Sequence, residues 1–170
     1  WLTAPHNGYE APIAQMRWSP TPYPAAPTSF IEGIRTMTTC GDASTQTGMS
    51  ANIYVATRSM KDEVFWNADG ELLIVLQEGR LRFWTEFGII DAEPAELVVI
   101  PRGVKIRVEL LDKQARGYIA ENYGGAFTLP ERGPIGANCM ANSRDFMTPV
   151  AAYEDRDVPT RLLVKWGGNL

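Results

Sequence analysis

Few residues in this chain have the types and spacing to do chemistry. It holds a single histidine, His6, beside the Asn7-Gly8 turn, and two cysteines, Cys40 and Cys139, far apart and without CxxC spacing. A facial triad of two histidines and a carboxylate, or a zinc site of cysteines and histidines, cannot be assembled from that inventory. His6 reads as an exposed residue rather than a catalytic base. The cysteines read as reduced thiols rather than a disulfide framework. What remains is polar and loop-borne. Asn138, Asn142 and Arg144 lie in the stretch Gly133 to Phe146, whose small residues and asparagines predict a structured loop. Arg144 offers a guanidinium that matches a carboxylate bidentately, and its plainer reading is an ion pair with Asp145 or a neighbouring acid that orders the loop. Tyr118, Tyr123 and Tyr153 either approach a substrate or serve packing and interfaces. No catalytic and no metal-binding residue is assigned.

The elements that must position these residues are strands. Leu72 to Leu76, Arg80 to Trp84, Glu96 to Ile100 and Val104 to Leu110 alternate or run apolar between turns at Asn67-Ala68-Asp69-Gly70, Glu78-Gly79, Phe87-Gly88 and Pro101-Arg102-Gly103. Two further strands around a polar loop from Cys40 to Met49 are expected at 31–37 and 51–56, and another at 117–123. Val104, Ile106, Val108 and Leu110 share one face. The fold class is therefore mainly all-β, an antiparallel barrel or sandwich. Residues 1–30 carry six prolines and read as an extended arm whose later part packs on a surface; residues 31–170 form the domain.

Composition narrows the partners. With 45% hydrophobic and 21% charged residues the chain is an ordinary globular one, and a net charge of -4 gives no footprint for nucleic acid. No apolar run approaches the ~18 residues of a membrane-spanning helix, and no signal-peptide pattern is present, so a cytoplasmic location is expected. The Cys40 to Met49 loop lacks the Gly-Lys-Ser/Thr of a phosphate cradle.

A glutamate before a long apolar strand, a Glu-Gly turn and a Pro-x-Gly together resemble a cupin, the small β-barrel or jelly roll. Glu71 falls on the cupin glutamate. The histidine positions of the cupin metal motifs fall on Phe65, Asn67 and Ile106, and Ile106 lies on the apolar face, which predicts dry packing there. A more specific resemblance rests on Asn67 to Val75, Thr85-Glu86-Phe87-Gly88, Arg116 to Ile119, Gly133 to Asn138, Ala141 to Phe146 and Tyr153 to Arg156. From about Met16 to Leu170 these motifs resemble the homogentisate 1,2-dioxygenase family. That resemblance implies an enzyme of phenylalanine and tyrosine breakdown that opens the homogentisate ring with dioxygen to maleylacetoacetate, using iron(II), Fe(2+), and assembling as trimers and hexamers. It implies a small aromatic acid as substrate. The match is to the family's N-terminal domain, and the iron ligands belong to a C-terminal domain that would be this chain's partner. This chain alone is expected to bind no iron and to be inactive. Its start at Trp1 and the apolar run at Val164 to Leu170 fit a piece of a longer protein, with an exposed apolar patch where the remainder docks. The alternative is a stand-alone metal-free cupin that binds a small organic acid.

Overall fold

A computed structural model describes residues 15, 17, 19–133 and 141–170. Ten strands follow one another in it: β1 (Ile34–Asp42), β2 (Thr47–Ala56), β3 (Glu63–Asn67), β4 (Glu71–Glu78), β5 (Leu81–Thr85), β6 (Gly88–Ala92), β7 (Leu97–Ile100), β8 (Lys105–Leu110), β9 (Ala115–Asn122) and β10 (Arg161–Lys165). They form two five-stranded sheets, β1-β2-β9-β4-β7 and β10-β3-β8-β5-β6. All pairings are antiparallel except β10 on β3, which is parallel. The chain is a cupin-like β-barrel.

Alternation makes the core. Leu72, Ile74 and Leu76 of β4, Leu81 and Phe83 of β5, Ile106 and Val108 of β8, and Ala115 and Ile119 of β9 all point inward and are buried. Their intervening neighbours face outward, where the cross-strand pair Arg82 and Asp91 joins through two hydrogen bonds of 2.7 and 2.8 Å. Such an exposed pair sets register more than stability, since it contributes at most about 1 kcal/mol. Phe30 closes the core from the N-terminal side, its ring 4.8 Å from Tyr54 and 6.2 Å from Phe83. Within the proline-rich stretch, Tyr23 stacks under the Arg116 guanidinium at 4.1 Å and donates to Glu78 at 2.9 Å, so this part of the arm lies on the outer face of the first sheet.

The strands expected from alternation are all found, with one loop much shorter than anticipated. β1 and β2 run on to Asp42 and Thr47, so the expected polar loop from Cys40 to Met49 contracts to a tight turn at 43–46. The Asp42 carboxylate fixes that turn by accepting from the Ser44 N–H and hydroxyl at 2.8 and 2.9 Å, a bond that a sequence with Ser and Thr after Asp offers as readily to a hairpin as to an open loop. β3, β6 and β10 have no counterpart among the strands expected, and all three lie in the second sheet.

Candidate functional site

Where a barrel of this kind could hold a ligand, β2, β3, β9 and β10 bring polar side chains inward. On β9 the inward series Ala115, Gly117, Ile119 ends in Glu121, which is fully buried. On β10 the inward position after Leu163 is Lys165, only 1% exposed. Asp69 sits in the β3–β4 turn and is equally enclosed. The Lys165 Nζ donates to Asp69 Oδ2 at 2.9 Å and to Glu121 Oε1 at 2.7 Å.

Two carboxylates against one ammonium leave one negative charge, and hydrogen-bond donors spread it. Glu121 also accepts from the Asn67 amide at 2.8 Å, the Ser50 hydroxyl at 3.2 Å and the Tyr123 hydroxyl at 3.4 Å. Asp69 also accepts from the N–H groups of Gly167 at 2.6 Å and Gly168 at 2.9 Å. Burial pushes the Asp69 carboxyl up, but the Gly168 N–H, the Lys165 ammonium and the Gly167 N–H outweigh it and hold the group below its ordinary value of 3.8. A depressed folded-state pKa stabilises the fold above the unfolded value, and that stabilisation is lost as pH falls through the folded one. Asp69→Asn should therefore flatten the acid side of the stability profile below about pH 4. Thermal unfolding from pH 2 to 6 checks this, and an unchanged acid limb in the variant would count against Asp69 as its source.

Chemically this cluster is closed. Its acceptors are taken, and its cation is a covalent part of the chain. The cupin metal positions do not fit iron: Phe65 and Ile106 are carbon within the apolar core, and Asn67 spends its amide on Glu121 and its carbonyl on the N–H of Asp69. Ile106 packs dry, as its alternation predicted. Glu71, the counterpart of the cupin glutamate, accepts from the Phe127 N–H at 2.7 Å and fastens the chain after β9. No group of three or more histidine, cysteine or acidic side chains among the described residues could hold a metal ion.

The residues singled out in the sequence do not converge. Asn142 caps the short 3₁₀ turn Ser143–Asp145: its side chain accepts from the Arg144 N–H at 3.1 Å, while Asp145 accepts from the Asn142 N–H at 2.8 Å. That capping box uses the Asp145 carboxylate, so the expected Arg144–Asp145 ion pair is not formed, and Arg144 is exposed with no ion pair among the described residues. Asn138, with Cys139 and His6, lies outside the described residues. Tyr118 stands on the outer face of the first sheet, between Ile53 and Val75 of the neighbouring strands. Cys40 is an exposed free thiol.

A concavity of about 350 Å³ lies on the outer face of the second sheet beneath the segment 152–160. Its cations are already matched. Arg107 makes two bonds to Glu154 at 2.7 and 2.8 Å, Lys105 meets Glu86 at 2.7 Å, and Arg156 pairs with Asp62. Arg107 also lies over the Trp84 ring at 4.7 Å. An organic anion would have to displace one of these carboxylates.

Fold and interior thus define a cupin-like barrel with an apolar core and a buried salt cluster beside it. Across residues 1–170 the chain matches the family described as homogentisate 1,2-dioxygenase N-terminal, and it belongs to that family. It is 66% identical over its whole length to the homogentisate 1,2-dioxygenase of Bradyrhizobium diazoefficiens and 67% identical to that of Nitrobacter hamburgensis. In both cases it spans 38% of the relative's length. Among solved structures, an RmlC-like cupin with a double-stranded β-helix fold from Methanocaldococcus jannaschii matches 64% of this chain and 94% of its own, at 10% identity and a TM-score of 0.45.

Proposed function

We propose that this chain is the N-terminal, metal-free domain of a homogentisate 1,2-dioxygenase, and that it serves the reaction as a scaffold. The whole enzyme opens the aromatic ring of homogentisate with dioxygen to maleylacetoacetate, with iron(II) held by a C-terminal domain. Identity of 66% over the whole of this chain, matched to 38% of a homogentisate dioxygenase, supports the reading. The interior supports the division of labour, because its described carboxylates are committed, Asp69 and Glu121 to Lys165 and Glu63 to Arg58. A trimeric or hexameric assembly in the cytoplasm belongs to the same proposal. So does a role for Asn138, Asn142, Arg144 or Tyr118 at an interface rather than in catalysis.

The reading is tested by oxygen uptake with homogentisate. The full-length protein loaded with iron(II) should consume oxygen and homogentisate in equal amounts, while the 1–170 segment under the same conditions consumes none. Turnover by the segment alone would overturn the assignment of chemistry to the remainder of the protein. Saturable binding of a small organic acid by the segment, with no activity in the longer protein, would favour a stand-alone binding barrel.

A further inference from the structure

Exposed apolar side chains are unevenly spread over this domain. Seven of the twelve large ones described lie between Met147 and Leu170, including Met147 at 75%, Val150 at 71%, Tyr153 at 89% and Trp166 at 76% exposure. The segment that carries the first three is fixed to the barrel by backbone hydrogen bonds and ion pairs. Val150 exchanges two backbone hydrogen bonds with Ile89 at 2.8 Å, and Glu154 and Arg156 are anchored to Arg107 and Asp62. Its close seat requires Gly88, where a Cβ would stand 2.2 Å from the Val150 carbonyl oxygen. A strap held down by charge and backbone, with its apolar groups left in water, is a surface made for something else to cover.

The path of the chain says what covers it. After the strap, β10 joins the same sheet through β3, and alternation puts Leu162 and Trp166 on that sheet's outer side, opposite the inward Leu163 and Lys165. The last turn is then locked. Trp166 and Asn169 exchange backbone hydrogen bonds at 2.8 and 3.1 Å, and Asp69 holds the Gly167 and Gly168 N–H groups. Leu170, 59% exposed, therefore leaves from a fixed place beside the patch. Relatives have more than half of their length outside the region that this chain spans. Polypeptide continuing from Leu170 would be present here at a high effective concentration that a second copy does not share.

We infer that the strap and the outer side of β10 form the docking surface for the downstream portion of the same polypeptide, which meets Met147, Tyr153, Leu162 and Trp166 with an apolar face. The charged groups of the groove beneath are paired among themselves, so the contact is apolar with a charged rim. This rests on the proposed function only in taking the protein to continue as its relatives do.

The test uses the full-length protein with Tyr153→p-benzoylphenylalanine, assembled from a mixture of isotopically light and heavy chains. Photolysis should join position 153 to a peptide beyond residue 170 carrying the same isotope label. In unmodified full-length protein, hydroxyl radicals should label Met147 about fivefold more slowly than Met49, the reverse of the order that their exposures in this domain give, and Tyr153 should be slow as well. Cross-links between light and heavy chains would overturn the proposal in favour of a second copy. Fast labelling of Tyr153 and Met147, or slow labelling with no cross-link beyond residue 170, would overturn it as well. Oxygen uptake by the unmodified protein is read separately, so a failed dioxygenase assignment leaves the docking result standing.

Discussion

Lys165→Met is expected to lower the unfolding free energy by about 3–5 kcal/mol, the cost of leaving buried charge without its partner. Methionine keeps most of the lysine stem but removes the ammonium, and Asp69 and Glu121 then share a dry interior with no cation between them. One of the two must take up a proton to stay there. Its folded-state pKa is then raised above the unfolded value, so the variant should gain stability as pH falls from 7 toward 5, while the parent shows no such gain. Lys165→Met combined with Asp69→Asn and Glu121→Gln should recover most of the loss, because neutral amides replace the orphaned charges. Urea unfolding of all three proteins at several pH values decides the matter. A single-variant loss below about 1 kcal/mol would mean that solvent or another group compensates the carboxylates and that the cluster does not hold the barrel closed.

The cluster also shows why part of this molecule was legible in the sequence and part was not. β4, β5 and β8 place an apolar side chain at nearly every inward position, so their alternation stands out, and the dry environment of Ile106 followed from it. β3 carries Glu63 and Asn67 at the ends of its inward row, and β10 places Lys165 on its inward face. A polar residue in the interior breaks the pattern by which a strand is recognised. β6 fails differently, since Ile89 and Ile90 are adjacent and give no alternation. The site was hidden for the same reason. Asp69 looked like one residue of an Asn-Ala-Asp-Gly turn, and Lys165 passed as one residue of the apolar run Val164 to Leu170. Glu121 carried the one usable signal, because it continues the inward series Ala115, Gly117, Ile119. Its partner lies 44 residues away in sequence, and nothing local announces that pairing. Asn142 and Arg144 drew notice through loop chemistry that the structure spends on capping a single turn.

Restoring a cupin-type histidine should not restore a metal site. Ile106→His is expected to destabilise the barrel by roughly 3 kcal/mol, combining lost packing with a buried polar ring that lacks partners. The register places Ile106 opposite Phe65 on one side and Thr85 on the other. Phe65 offers only carbon, and the Thr85 hydroxyl already donates to the Gly88 carbonyl at 2.8 Å and accepts from the Phe87 N–H at 3.1 Å. The imidazole must therefore stay neutral in the folded state, with its pKa depressed. Stability of the variant should then fall further as pH drops through about 6.5, where the unfolded chain begins to gain a proton that the folded one refuses. Iron(II) or cobalt(II) should leave its melting temperature unchanged, because the two carboxylates that could join a metal are bound to Lys165. A metal-dependent rise in melting temperature would show that the Lys165 ammonium yields its place, and would make the closed cluster an occupied form of a metal site rather than its replacement.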